Sequence, residues 1–294
     1  MANQDHSTDP PAIGPTDTPA SLPNRPAPSG TSDIALRLGQ SIERQMLGTR
    51  LSGLAQGMVD LLDRAVADRI DDARRWAAEP VVAACLTGPA TVAAAATTRL
   101  TRLIADRPLY LDLWIANADG IVVATGRPDR HPGLTGIDVA TQPWFRAALA
   151  SGPGVVATAE IAAEPRLGGA TALPFAAAIP SADPTAPPLG LLVLFFDWDG
   201  QSAQLLRRAR QRGGEIGVRC LLLDRADRVI AASGPSEDAG ETFALPTPLA
   251  PAGWFADRHG ILFGYARSTD RPDCPGLGWS GVVARRPDGD DPIH

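Results

Sequence analysis

The chain has 294 residues, of which 44% are hydrophobic, 20% charged and 5% aromatic, and its formal net charge is −6. This composition is typical of one large or two small globular domains. All 27 basic residues are Arg, which excludes lysine Schiff-base chemistry and the lysine of a phosphate-binding P-loop. The acidic balance argues against nucleic acid as a partner, because affinity for nucleic acid depends on basic residues that neutralise phosphates.

The expected compartment follows from the apolar runs and the cysteines. The longest strongly apolar run, Leu189 to Phe196, is far shorter than the roughly 20 residues of a membrane helix, so no membrane span is expected. The N-terminus has neither the basic segment nor the apolar stretch of a secretory signal. Cys85, Cys220 and Cys274 lie far apart without CxxC spacing, which favours free thiols over a metal site. We therefore expect a cytoplasmic protein without a cofactor.

The composition of the N-terminal third changes at residue 32. Residues 1–31 hold seven of the 28 prolines and predict a disordered tail. Apolar residues then recur at steps of three and four until Pro80, which predicts one long helix or two helices joined at one of its glycines. A second helix is predicted from Pro89 to about Pro108. Residues 32–108 are thus assigned to a helical segment.

The long helix also predicts self-association. Its apolar stripe, from Ile34 to Ala77, exceeds what a single small module can cover. The spacing of the stripe is that of helices that pack at a shallow angle. We expect a homodimer that forms through this helix.

Two similar hairpin patterns follow, LDLWIANADGIVVATG and CLLLDRADRVIAASG, roughly 110 residues apart, as expected of a repeated unit. The Asp-Gly pair of the first supplies the positive φ that tight hairpin turns require. A short helix is predicted from about Thr141, between strand candidates. The pattern predicts a larger α+β module at 109–200, a smaller one at 201–286 and a frayed end at 287–294.

These elements, in this order, resemble the double Cache sensor domain of bacterial chemoreceptors, sensor kinases and diguanylate cyclases. The resemblance runs from about Leu47 to Arg286. It is carried by the long helix, the hairpin ending NADGIVVATG, the segment GIDVATQPWFRAAL, the strand ending at Asp197 and the segment GYARSTDRPDCPGLGWSGVV. It implies an α+β fold in which a long N-terminal helix supports two PAS-like antiparallel-sheet modules. Typical members also have membrane helices and an output domain, which this sequence does not show.

The resemblance also implies ligand-binding residues in the first module. Trp144 and Phe145 match the aromatic positions that line the pocket of the family, although a place in the ordinary core of a helix face is an alternative for both. Asp197 matches a ligand-facing acid at the end of a strand. The alternative for Asp197 is an N-cap of the helix that follows.

Two further residues bear on the ligand. Gln142 stands where amino-acid-binding members have an Arg that grips the ligand carboxylate, so the bidentate charged contact is lost. An α-amino acid is therefore expected to be a poor ligand, and Gln142 either hydrogen-bonds a neutral ligand or faces water. Asp138 is a candidate as well, although its type and position favour a role in ordering its own loop.

The sequence favours a non-enzymatic function. It contains no G-x-S-x-G elbow and no H-E-x-x-H pair. His131 and His259 lie in segments that are predicted to be turns. The leading hypothesis is a small-molecule-binding sensory module of signal transduction. The alternative is a dimeric interaction or scaffold protein with a vestigial pocket that engages a signalling partner protein.

Overall fold

The structure is a computed structural model that describes residues 30–213, 217–234, 240–246, 250–269 and 277–285. The predicted tail at 1–31 falls almost entirely outside these ranges, and so do the predicted frayed end at 287–294 and Cys274. The chain divides into two units, residues 1–42 and residues 43–294. Both β-sheets belong to the second unit.

In the described part of the chain, three helices precede the first strand, namely α1 (Gly30–Ala77), α2 (Pro80–Thr87) and α3 (Ala90–Asp106). The predicted long helix is confirmed, and it is continuous through its glycines. Sequence reasoning missed α2 because Pro80 was taken only as a stop. Proline also suits the first turn of a helix, where its missing N–H leaves no bond unmade, and Pro80 begins α2 in this way.

The first sheet is built from β1 (Tyr110–Asn117), β2 (Val122–Thr125), β3 (Val156–Thr158), β4 (Ala162–Glu164), β5 (Ala170–Ile179) and β6 (Gly190–Asp197). Its strand order is β2-β1-β6-β5-β3, and β4 pairs with β5. Helix α4 (Pro143–Ser151) lies between β2 and β3 in the chain, and a single 3-10 turn (Pro165–Leu167) follows β4. Every pairing is antiparallel.

The second sheet begins after α5 (Trp198–Gly213) and comprises β7 (Val218–Leu223), β8 (Val229–Ala232), β9 (Ala252–Ala256), β10 (Leu262–Arg267) and β11 (Ser280–Arg285). Its order is β8-β7-β11-β10-β9, which is the order of the first sheet without β4. The sheet is antiparallel throughout. The predicted α+β fold, a long helix with two antiparallel sheets, is therefore confirmed.

Helix α1 buries much of its apolar stripe inside its own chain. The stripe residues that are buried in the main core are Leu51, Ala55, Met58, Leu62, Val66, Ile70, Ala73 and Ala77. The second sheet approaches α1 closely at Gly264 and Gly281, where an added Cβ would collide with α1, at Gly264 with its backbone. The prediction of a dimer assumed that this stripe is uncovered in the single chain. From Leu51 onward, however, the two sheets of the same chain cover it. Among the described residues of the first unit, Ile34, Leu38 and Ile42 are exposed.

Two other features concern the cysteines and membrane segments. Cys85 and Cys220 are buried free thiols. Burial raises the pKa of Cys220 to about 11, so the thiol stays protonated and unreactive at neutral pH. Within the described ranges, no helix combines the length and the apolar character that crossing a bilayer demands.

Candidate functional site

The face of the first sheet that points away from α1 carries an aromatic cluster. Trp114 of β1 and Phe195 of β6 have ring centroids 4.3 Å apart. Trp144 of α4 lies edge-on to Phe195 at 5.9 Å, and Phe145 lies 6.3 Å from Trp144. At most 3% of any of these residues is exposed. The rings fill the space between α4 and the sheet, so they fix the position of α4.

An open cleft of 1220 Å³ lies beside this cluster, between the two modules. Its first-module wall consists of the start of α4 and the segment from β3 to the 3-10 turn, and its second-module wall includes the β7–β8 hairpin. Trp144 and Phe195 of the first module supply aromatic surface to the lining, and so does Trp279 of the second module. The volume exceeds the ~300–1,000 Å³ of typical small-molecule sites, so the cleft can admit a small ligand with its water.

Charged side chains of both signs line the cleft. Among the described residues, its lining includes three carboxylates and three guanidiniums: Glu160, Glu164, Asp224, Arg166, Arg225 and Arg228. Glu164 is 8% exposed and accepts hydrogen bonds from the backbone N–H and the guanidinium of Arg166, at 3.1 and 3.3 Å. The balanced signs suit a ligand that itself carries both charges.

One ion-pair chain joins the two modules across the cleft. The Arg228 guanidinium donates to Asp224 at 2.7 Å, and its Nη2 lies 3.8 Å from Glu160 of the first module. Burial acts to raise the pKa of Asp224, but hydrogen bonds from the Arg228 and Ala226 backbone N–H groups and the Arg228 side chain outweigh it and lower that pKa. Asp224 is therefore ionised at neutral pH and holds Arg228 in place.

Of the five residues predicted from the sequence, Gln142 and Trp144 line the cleft. Gln142 precedes α4, and its backbone C=O accepts the first helical bonds from Phe145 and Arg146. Its side chain makes no capping bond and is half-buried. Phe145 lies behind the wall, in the apolar cluster.

The two predicted acids make local bonds instead. Asp197 accepts from the backbone N–H of Gly200 at 3.1 Å, in the first turn of α5. Asp138 is exposed and accepts from the backbone N–H of Ala140 at 2.7 Å. These are the capping and loop-ordering bonds that the sequence left open as alternatives. Neither side chain is part of the cleft lining, and a role in ligand binding stays a prediction for both.

Sequence reasoning missed the charged wall of the cleft. Asp224 and Arg228 come from the turn of the second hairpin, which was read only as a turn, and Glu164 and Arg166 come from a 3-10 turn between short strands. The available signal was the sequence DRADR, which places acidic and basic side chains together in one hairpin turn. Only the packing of the two modules brings these residues to Gln142.

The fold defines an architecture, a long N-terminal helix with two PAS-like antiparallel-sheet modules, and comparison with solved structures supports it. An extracellular ligand-binding receptor from Desulfohalobium retbaense superposes with a TM-score of 0.61 at 13% identity, over 81% of this chain and 40% of that chain. The ligand-binding domain of the Pseudomonas fluorescens chemoreceptor CtaA, in complex with L-leucine, gives 0.60 at 16% identity, over 84% and 98%. That of the Pseudomonas aeruginosa amino-acid chemoreceptor PctC, in complex with GABA, gives 0.59 at 14% identity, over 82% and 100%.

These likenesses show the fold. The chain has the architecture of Cache-type sensor domains, as the resemblance implied. It spans about 40% of the length of the Desulfohalobium receptor. No protein-family model and no curated protein matches the sequence.

Two predictions from the sequence are contradicted. The cytoplasmic location is wrong, because similar structures are extracellular domains; it rested on absent sequence signals, which do not determine a compartment. The exclusion of amino acids as ligands is also contradicted, since similar domains bind amino acids and GABA. That exclusion considered only the missing guanidinium at Gln142, whereas the cleft holds Arg166, Arg225 and Arg228.

Proposed function

We propose that this chain is a small-molecule-binding sensory module whose ligand binds in the cleft between the two modules. The observation that carries the proposal is the cleft itself, in which aromatic surface at Trp144 adjoins carboxylates and guanidiniums in equal number. Apolar surface combined with a few convergent polar groups is the usual composition of a small-molecule site. The function is signal transduction without catalysis, outside the cytoplasm, as in the structures with the same fold.

The lining suits a dipolar ligand such as an amino acid or a related amino carboxylate. Arg225 is exposed, and its guanidinium is available for a ligand carboxylate by a bidentate bond. Glu160 has 86% of its side chain exposed and can accept from a ligand ammonium. The Trp144 ring provides the surface for an alkyl group. The amino-acid and GABA complexes of similar domains support this class.

Isothermal titration calorimetry on the full chain tests the proposal, with L-leucine, L-alanine, GABA and succinate as probes. We expect saturable binding of at least one amino carboxylate, and we expect Trp144→Ala to remove it. Trp254→Ala is the matched control, because Trp254 is 37% exposed and lies outside the cleft lining. The proposal fails if none of the probes binds, or if Trp144→Ala binds as tightly as the wild type.

Gln142 provides a gain-of-function test of the same site. Gln142→Arg adds a guanidinium at the mouth of the cleft, so affinity for carboxylate probes should rise by about tenfold, the effect of one charge-assisted hydrogen bond. A neutral probe of similar size should gain nothing. Unchanged affinity for the carboxylates would show that position 142 does not face the ligand.

We further propose that the protein forms a homodimer through the N-terminal part of α1 and engages a signalling partner. The exposed Ile34, Leu38 and Ile42 recur at steps of four on one helix side, with 68%, 60% and 50% of each residue exposed. Apolar surface of this kind is covered in helical pairs. Sedimentation equilibrium should show a dimer that Leu38→Glu with Ile42→Glu converts to a monomer. A monomeric wild type would contradict the proposal.

A further inference from the structure

A second and smaller cavity lies between α1 and α5. Its volume is 120 Å³, and among the described residues it shares no lining residue with the cleft between the modules. Its apolar walls come from both helices and from the end of β6: Leu61, Leu62, Ala65, Phe196, Trp198 and Leu205. Arg69 of α1 and Gln201, Ser202 and Arg208 of α5 line it as well.

Arg69 is an unusual residue to find in such a wall. It is 6% exposed, and among the described residues its Nε has no hydrogen-bond partner. The nearest carboxylate oxygens belong to Asp72, 3.6 Å from Nε, and to Asp68, 3.9 Å from Nη2. Its guanidinium carbon lies over the rings of Tyr110 and Phe196, at 5.6 and 5.9 Å from their centroids.

Asp72 cannot neutralise this region by itself. Its carboxylate already accepts hydrogen bonds from Arg75, from Arg107 at 2.8 Å and from the Tyr110 hydroxyl at 2.7 Å. Asp72 therefore serves three guanidiniums at once, and the exposed Asp68 carboxylate lies 3.9 Å from Arg69 Nη2. Within the described part of the chain, the Arg69 Nε–H is a buried donor without a hydrogen bond, which is costly, and an anion that accepts from it would remove that cost.

The cavity determines which anion would fit. At about 30 Å³ for each water in the liquid, its volume holds about four waters, which is enough for a carboxylate with a short alkyl group. The guanidiniums of Arg69 and Arg208 would take the carboxylate, and the leucine and aromatic walls would take the alkyl group. Among the described residues no carboxylate lines the cavity, so a ligand ammonium would find no anionic partner.

We propose that the cavity between α1 and α5 is a binding site for short-chain monocarboxylates such as acetate and propionate. The site is distinct from the proposed sensory cleft. Helix α5 connects β6 of the first sheet to β7 of the second, and α1 packs on the second sheet. A ligand held between these helices stabilises the connection between the modules and so provides a second input to them.

The test is titration of the full chain with sodium acetate, sodium propionate and sodium sulfate against sodium chloride at equal ionic strength, by calorimetry and thermal shift. We expect saturable binding of propionate. Arg69→Met and Ala65→Leu, which remove the guanidinium and fill the cavity, should each weaken it by at least about tenfold. Arg208→Gln should weaken it less, and Arg207→Gln, the matched control outside the lining, should leave it unchanged.

Three results would overturn the proposal: no binding by the wild type, equal affinity for sulfate and propionate, or propionate affinity unchanged in Ala65→Leu and Arg208→Gln. The last comparison stands even if Arg69→Met does not fold. Trp144→Ala separates this site from the proposed sensory cleft, because that variant should retain propionate binding in full. Loss of propionate binding in Trp144→Ala would place the anion in the cleft and contradict a separate site.

Discussion

The two modules share one hairpin frame and differ in what covers it. In the first hairpin Trp114 pairs with Thr125, and Ala116 pairs with Val122. The second hairpin has the same two pairings 107 residues later, Leu221 with Ala232 and Leu223 with Val229, and both hairpins have a bulge at the same place. The apolar cluster formed by the outer face of the first sheet, α4 and its loops has sixteen buried residues, and the cluster on the outer face of the second sheet has six among the described residues. The frame is therefore common to both, and the segment inserted after β2 creates the aromatic wall of the cleft.

The turns show how the same geometry is reached with different residues. Asn117 Oδ1 accepts from the N–H groups of Asp119 and Ile121 in the first turn. Asp224 Oδ1 accepts from the equivalent N–H groups in the second. Asp224 stands where the first turn has Asn117, so the second turn keeps the same hydrogen bonds and gains a negative charge. In the second module that charge holds Arg228 at the cleft.

The largest effect on the free energy of unfolding is expected where α1 packs on the second sheet, because the other face of that sheet carries only a small apolar cluster among the described residues. Gly264→Ala would drive a methyl group into the backbone of Leu51 and Ser52, and we expect a loss of about 3 kcal/mol in the free energy of unfolding, as for an overpacked core. Gly53→Ala on α1 is the control, because its added Cβ meets no atom within 4 Å. It should gain up to about 1 kcal/mol. Equal behaviour of the two variants in urea unfolding would refute this contact.

The turn of the first hairpin should tolerate substitution less well than the turn of the second hairpin. Gly120 has a φ of +87°, and an added Cβ would lie 2.6 Å from Ala140. Gly120→Ala should therefore cost about 2 kcal/mol, measured by urea unfolding, through backbone strain and this collision. If Gly120→Ala were neutral, the loop after β2 would not be held against the turn as the structure shows.

A buried acid distinguishes the modules in their response to pH. Asp112 is fully buried, and its Oδ1 accepts from the N–H groups of Leu113 and Gly126, whereas the equivalent residue of the second hairpin is Arg219. Burial raises the pKa of Asp112 above its ordinary value of 3.8; the hydrogen bonds and the charge of nearby His131 oppose the rise without cancelling it.

The raised pKa sets the direction of the effect. The contribution of Asp112 to stability is complete below the pKa of the unfolded chain, near 3.8, and is lost as the pH rises through the higher folded value. Asp112→Asn should therefore gain stability relative to the wild type between pH 4 and pH 7. Denaturant unfolding of both proteins across this range measures the difference, and a constant difference would contradict the raised pKa.

The smallest effect is expected at the turn of the second hairpin. Asp227 occupies the position of Gly120 and has a φ of +58°, the one positive value of a residue other than glycine among the described residues. Asp227→Gly relieves this strain and should stabilise the protein by about 0.5 kcal/mol. A clear destabilisation, seen as a lower Tm, would show that the Asp227 side chain has a structural role of its own.

The parts of the fold that depend on local pattern could be predicted from the sequence. Periodicity located α1, and the repeated hairpin sequences indicated two modules. The cleft could be predicted only in part, because Gln142 and Trp144 belong to one segment with a recognisable sequence, whereas Arg228 reaches them through the packing of one module on the other. The coverage of α1 was missed for the same reason, since the glycines that admit it lie in distant strands.

Ligand binding in the cleft is tested most directly by a crystal structure of the chain with the amino carboxylate that binds best in the calorimetric panel. We expect the ligand to lie against Trp144, with its carboxylate hydrogen-bonded to the guanidinium of Arg166, Arg225 or Arg228. A ligand bound on the outer face of the second module, with the cleft holding only water, would contradict it.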